Sequence, residues 1–140
     1  MLKNLILMLG IVILLTSNAA FAGDPEKEKA AVTSASTWLK LVDEAKYQES
    51  YKEAASFFKN AVTEQQWVQS MNAVRKPIGK ALSRQVKSAT YTKSLPGAPD
   101  GEYVVIQFNT SFENKKTAVE TVTPMLDKDQ KWRVSGYYIK

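Results

Sequence analysis

Apolar residues recur at three- and four-residue spacing from Ala30 onward. Ala31, Ala35, Trp38, Val42 and Ala45 form one stripe, and Leu39 widens it. That spacing predicts an amphipathic helix. Lys40, Asp43, Glu44 and Lys46 fall mostly on its other side, and the helix is expected to end near Lys46. Tyr51, Ala54, Ala55, Phe58, Ala61 and Val62 make a second continuous apolar face, with Lys52, Glu53, Ser56, Lys59 and Asn60 toward water. Thr63 then reads as an N-cap, with Gln66 three residues on in capping-box spacing. The third helix is expected to carry Trp67, Met71, Val74 and Ile78 inward and to close at Pro77 and Gly79.

After Gly79 the period changes to that of strands. Four are expected: Val86 to Thr92, Tyr103 to Phe112, Thr117 to Leu126, and Trp132 to Ile139. The Pro- and Gly-rich run Leu95 to Gly101, the triplet Asn114 to Lys116, and Asp127 to Gln130 are turns by composition. Asp127 and Asp129 are spaced like two calcium ligands, but the central Gly and distal Glu of such a loop are missing. Three helices followed by four strands on short turns describe an α+β fold. The helices would pack on a four-stranded antiparallel meander sheet. A cone-like shape follows by analogy with nuclear-transport-factor-2-like and cystatin-like folds, and analogy of fold carries no function.

Alternation fixes which side chains share a face. Val104, Ile106, Phe108 and Phe112 take the even positions of the second strand. A three-residue turn would set Thr110 opposite Glu120 and Phe108 opposite Val122, keeping Ala118, Val122 and Leu126 on the apolar face. Glu120 then points at the helices. Tyr138 or Gly136 is expected beside it, and Arg84, in phase with Val86, enters the same space. A buried carboxylate must be paired or neutralised. Arg84, Glu120 and Tyr138 are therefore the candidate ligand-binding cluster. The alternative leaves Glu120 at the sheet rim in an ordinary ion pair.

The N-terminus has a different character. Lys3, the eleven-residue apolar run Leu5 to Leu15, the polar Thr16-Ser17-Asn18 and the small-x-small Ala20-Phe21-Ala22 occur in the order of a secretory signal. Spanning a bilayer takes roughly 20 apolar residues, so the run is too short for an anchor. Cleavage is expected after Ala22. It would leave residues 23–140, a charged lead-in at 23–29 expected to fray, and a single domain over 30–140 in the periplasm or outside the cell.

Neither cysteine nor histidine occurs. That removes Cys nucleophiles, Ser-His-Asp triads and His-containing zinc sites, and leaves acid–base chemistry to Asp, Glu, Lys or Tyr. No catalytic residue, metal ligand or cofactor is assigned. Without the leader, 18 Lys and Arg face 14 Asp and Glu, a mildly basic balance. No acidic residue falls between Gln65 and Pro99, where Arg75, Lys76, Lys80, Arg84, Lys87 and Lys93 lie. Arg75, Lys76, Lys80 and Lys87 form a candidate basic patch for an anionic partner. The alternative is a solvated strand edge whose lysines deter pairing. Nucleic acid is not expected as a partner of an exported domain. Trp38, Trp67 and Trp132 fall on inward faces, as core or as pocket lining.

Several stretches carry a family resemblance. They are Trp38 to Asp43, Phe58-Lys59 with Gln66-Trp67, Val74-Arg75 with Pro77 and Gly79, Ser83-Arg84, Ser94 to Tyr103 around the Pro-Gly loop, Ala118 to Thr123, and Trp132 to Tyr138. With them the chain resembles the family catalogued as domain of unknown function 4019, across nearly the whole expected domain. Ala45 and Tyr51 stand where glycine and tryptophan are usual. The resemblance implies small secreted bacterial proteins with no assigned activity, and brings no catalytic residues.

Three functions follow as expectations. The first is a non-catalytic periplasmic domain binding a small amphiphilic ligand or an envelope component, oriented by Arg84 and Glu120. The second is an enzyme with Glu120 as general base and Tyr138 as donor. The third is an envelope-interaction module using the basic segment 75–93. The oligomeric state stays open.

Overall fold

A computed structural model describes residues 20–140, the first three by their backbone alone. The apolar run of the expected leader lies outside the described residues. The elements run β1 (Ala20–Ala22), α1 (Pro25–Asp43), α2 (Tyr47–Lys52), α3 (Ser56–Ala61), α4 (Glu64–Ile78), β2 (Ala81–Thr92), β3 (Tyr103–Phe112), β4 (Lys115–Leu126) and β5 (Trp132–Ile139). β2 to β5 form an antiparallel meander, as expected, and β1 joins its β2 edge in parallel, pairing with Ser88–Thr90. The helices cover one face, so the fold is α+β. Among the described residues no helix is long and apolar enough to cross a membrane.

The helices differ from expectation in two places. The charged lead-in is no loose tail, because α1 begins at Pro25. Asp24 caps it by accepting from the Lys27 N–H at 3.2 Å, Pro25 takes the first turn, and Glu26 and Glu28 oppose the helix dipole. Four helices stand where three were expected. The face from Tyr51 to Val62 is split between α2 and α3, because the chain bends at Ala54-Ala55 to bond the Ala55 N–H to the Val134 carbonyl of β5. Both alanines are fully buried at that contact. The capping box at Thr63 and Gln66 is present in α4.

The core lies between α1, α4 and the inner face of the sheet. Trp38, Leu39, Val42, Trp67 and Met71 meet Val104, Ile106, Phe108, Val122 and Val134. The indole N–H of Trp38 donates to the Ser50 carbonyl at 2.8 Å, and that of Trp67 to Ser50 Oγ at 2.9 Å. The two tryptophans thereby fasten α2 to α1 and α4 through one buried serine. Val74, expected inward, is 44% exposed. Arg75 takes the interior position instead, in line with Trp67 and Met71 at four-residue steps.

Register decides which polar groups enter this core. The β3–β4 turn takes two residues, not three, and β4 carries one extra residue between Lys115 and Ala118, so Ile106 faces Val122 and Phe108 faces Glu120. That shift of two residues leaves every side chain on its expected face. β5 is different. Val122 pairs with Tyr137 but Pro124 pairs with Val134, so β5 carries one extra residue around Ser135-Gly136. This bulge reverses the alternation beyond it. Tyr137 points inward, and Tyr138 is 57% exposed on the outer face.

Candidate functional site

Two polar constellations arise from this geometry, one closed and one open. The closed one forms where α1 ends over the first half of β2. Arg84 rises from the inner face of β2 between the last residue of α1, Asp43, and Glu120 of β4. Its Nη1 and Nη2 donate to Asp43 Oδ2 and Oδ1 at 2.8 and 2.9 Å. Its Nε and Nη2 donate to Glu120 Oε1 and Oε2 at 2.7 and 3.3 Å. One planar guanidinium thus grips two carboxylates by paired bonds, the strong geometry for this ion pair.

Neighbouring side chains bond Glu120 and Asp43 further, while Nε and Nη1 of the buried Arg75 have no hydrogen-bond partner. Thr110 Oγ1 donates to Glu120 Oε1 at 2.5 Å, and the Tyr137 hydroxyl donates to Glu120 Oε2. Arg75 Nη2 donates to Asp43 Oδ1 at 2.9 Å, and its guanidinium lies 4.8 Å from the centroid of the Phe112 ring. Two guanidinium charges therefore face two carboxylates. Burial pushes the Asp43 carboxyl up, but Arg84 and Arg75 outweigh it and hold the group below its ordinary value. Burial disfavours the charge on Arg84, and its bonds to Asp43 and Glu120 outweigh that, so its ordinary protonation is reinforced. Burial, then the Glu120 charge, raises Tyr137 far above an ordinary phenol.

This arrangement bears on each expected site residue. Arg84 and Glu120 come together. Tyr138 does not join them, because the bulge puts Tyr137 in its place. Asp43 and Arg75 complete the cluster unforeseen. Each had a signal: Asp43 lies four residues after the buried Leu39, and Arg75 four after the buried Met71. The Glu120 side chain has no exposed surface and both its oxygens are bonded. Nothing in solution touches it, so as placed it offers no base to a substrate.

The expected basic patch also changes. Arg75 is interior and Arg84 turns inward, while Lys76, Lys80 and Lys87 stay exposed. Without Arg75 the patch keeps Lys76 on α4, Lys80 in the link after it and Lys87 on β2. Among the described residues no three acidic side chains converge to hold a metal ion.

The open constellation is a cleft of about 680 Å3 between α1, α2 and the start of β5. Leu41, Trp38, Trp132 and Val134 supply its apolar surface. Lys52, Lys131 and Arg133 stand at its rim with Glu49 and Glu53. Ser34 Oγ donates to the Trp132 carbonyl at 2.6 Å and ties β5 to α1 along the cleft. Nearby, Asp127 accepts from the Ser56 N–H at 3.0 Å, which with the adjoining Arg133 holds its carboxyl below the usual range. Trp38 borders both constellations: one side lines the cleft, and its ring stacks edge-on against Tyr137 at 5.5 Å.

Residues 34–137 match a family model described as protein of unknown function (DUF4019). No curated protein matches the chain.

Proposed function

Because the chain belongs to the DUF4019 family, whose description assigns no function, we propose its role from its own geometry: an exported, non-catalytic domain that binds a small amphiphilic molecule in the cleft beside Trp132. Export rests on the three-part leader ending at Ala22. The observation that carries the binding reading is the cleft itself. Its apolar surface, with two tryptophans, suits the body of such a ligand, and Lys52, Lys131 and Arg133 suit an anionic or polar end. Arg133 is partly committed, donating to Asp129 at 2.6 Å, so Lys52 and Lys131 are the cations open to a ligand.

The Arg84–Glu120 chamber is not the place for the ligand, because Arg84 and both Glu120 oxygens are bonded within it and Glu120 is fully buried. The exposed lysines Lys76, Lys80 and Lys87 support the second reading, contact with an anionic envelope component, less strongly.

Native mass spectrometry on protein recovered from its own periplasm tests the proposal. A reproducible small-molecule adduct is expected. Thr37→Trp, which adds an indole from the exposed side of α1 into the cleft, is expected to abolish it with little change in stability. A bare protein mass under gentle conditions, or an adduct retained by Thr37→Trp, overturns the assignment of the cleft.

A further inference from the structure

Glu28 is the one carboxylate among the described residues that is fully buried without a cationic partner. Its Oε2 accepts from the Tyr91 backbone N–H at 2.9 Å, and its Oε1 has no partner. The neighbouring Lys27 is taken up by Glu102 and Tyr91. A buried charge left this way is costly, since burial of an ionised carboxylate requires pairing. Gly23 of the N-terminal segment lies beside this carboxylate. A β-carbon on Gly23 would lie 3.9 Å from Glu28 Oε2 and 3.8 Å from the Tyr91 carbonyl oxygen.

We infer that Glu28 and the Tyr91 carbonyl form a receptor for the α-ammonium group that cleavage after Ala22 creates on Gly23. The inference rests on the export reading. Hydrolysis adds water across the Ala22–Gly23 bond, leaving a carboxylate on Ala22 and an amine on Gly23. That amine takes a proton at neutral pH, its ordinary pKa being about 8. In the uncleaved chain the Gly23 nitrogen is an amide held by β1, whose Ala22 pairs with Thr90. Once β1 is cut away, rotation about the Gly23 Cα–C bond carries the nitrogen to the place of the missing β-carbon. There it lies between a carboxylate and a carbonyl, within ion-pairing distance of Glu28. Removal of the leader thus supplies the missing counter-charge and pins the start of α1 to β2.

A double-mutant cycle tests this with chains released from fusions by a protease that leaves none of its own recognition residues on the new N-terminus. One chain begins at Gly23, a second begins at Ala22, and each is made with Glu28 and with Glu28→Gln. The Gly23 chain is expected to unfold with an equilibrium constant roughly ten- to hundredfold smaller than the Ala22 chain, the scale of a hydrogen bond to a charged group. In the Glu28→Gln pair the difference is expected to vanish. Equal stabilities, or a difference that persists in Glu28→Gln, overturn the receptor. Should Glu28→Gln not fold, acylation of the α-amine at neutral pH decides. A rate about tenfold slower for the Gly23 chain supports the pairing, and equal rates overturn it. The mass of the exported protein reports separately on the leader. Gly23 as first residue supports the maturation role. Any other first residue overturns the leader boundary, and with it that role, whatever the cycle returns.

Discussion

The chamber around Glu120 and the cleft beside Trp132 lie on either side of Trp38 and use their polar groups in opposite ways. In the chamber two arginines and two carboxylates close on one another, with Thr110 and Tyr137 bonded to Glu120. In the cleft, lysines and glutamates stand around an apolar surface open to solvent. Conspicuous charge inside a fold therefore marks structure here. On the proposed reading, binding falls instead to aromatic residues that a hydrophobic pattern assigns to the core.

Breaking the chamber should be the most damaging change. Glu120→Ala leaves Arg84 facing only Asp43, with Thr110 and Tyr137 deprived of their acceptor. Removing one partner of a buried pair costs about 3–5 kcal/mol. Urea unfolding should show a loss of that size, and adduct retention in the folded fraction should be unchanged. A loss below about 1 kcal/mol, within the range of surface pairs, would mean that water reaches the chamber.

Acid should act on the chamber in the same direction. The Asp43 carboxyl is held below its ordinary value in the folded state, so the unfolded chain takes up its proton first. Its contribution is complete above the unfolded value of about 3.9 and is lost as pH falls through the folded one. Asp127 and Asp129 are depressed as well and add to the same window. Asp43→Asn separates them. Its deficit in urea midpoint relative to the native chain should be widest at neutral pH and close below about pH 4. A deficit constant over pH would show that shape, and not ionisation, is what Asp43 supplies.

Adjacent tyrosines give the sharpest test of where the chamber ends. Tyr137→Phe removes the donor to Glu120 Oε2 and should cost about 1.5–3 kcal/mol, the range for a hydrogen bond to a charged group. Tyr138→Phe, on the exposed side of the same strand, should stay within about 0.5 kcal/mol. Equal effects would remove the bulge from β5. Alternation alone points to Tyr138, and much else about the sheet is readable in that way. Strand limits at Tyr103–Phe112 and Trp132–Ile139 follow from it, and Arg84 and Glu120 share a face by parity even with the register shifted by two. One inserted residue is what parity does not count. Gly136, inside a strand pattern, was its only mark, since glycine there often signals a bulge. On the helices it is chemistry that misleads: polar Asp43 reads as facing water and Arg75 as part of a basic patch, although their spacing from Leu39 and Met71 puts them in.

The smallest expected effect lies at the join between the two regions. Ala45 follows α1, which delivers Asp43 to the chamber, and precedes α2, which forms one wall of the cleft. Its φ of 58° is in the left-handed region, which costs a residue with a β-carbon roughly 1–2 kcal/mol. Glycine is usual at this position in the resembled family, and it adopts the conformation without that penalty while losing more freedom on folding. Ala45→Gly should therefore gain about 0.5–1 kcal/mol, seen as a higher urea midpoint at unchanged slope. Because the exposed Ala45 side chain is part of neither constellation, adduct retention should not change. If retention fell as stability rose, the cleft would depend on strain held at this join, and chamber and cleft would be two parts of one device.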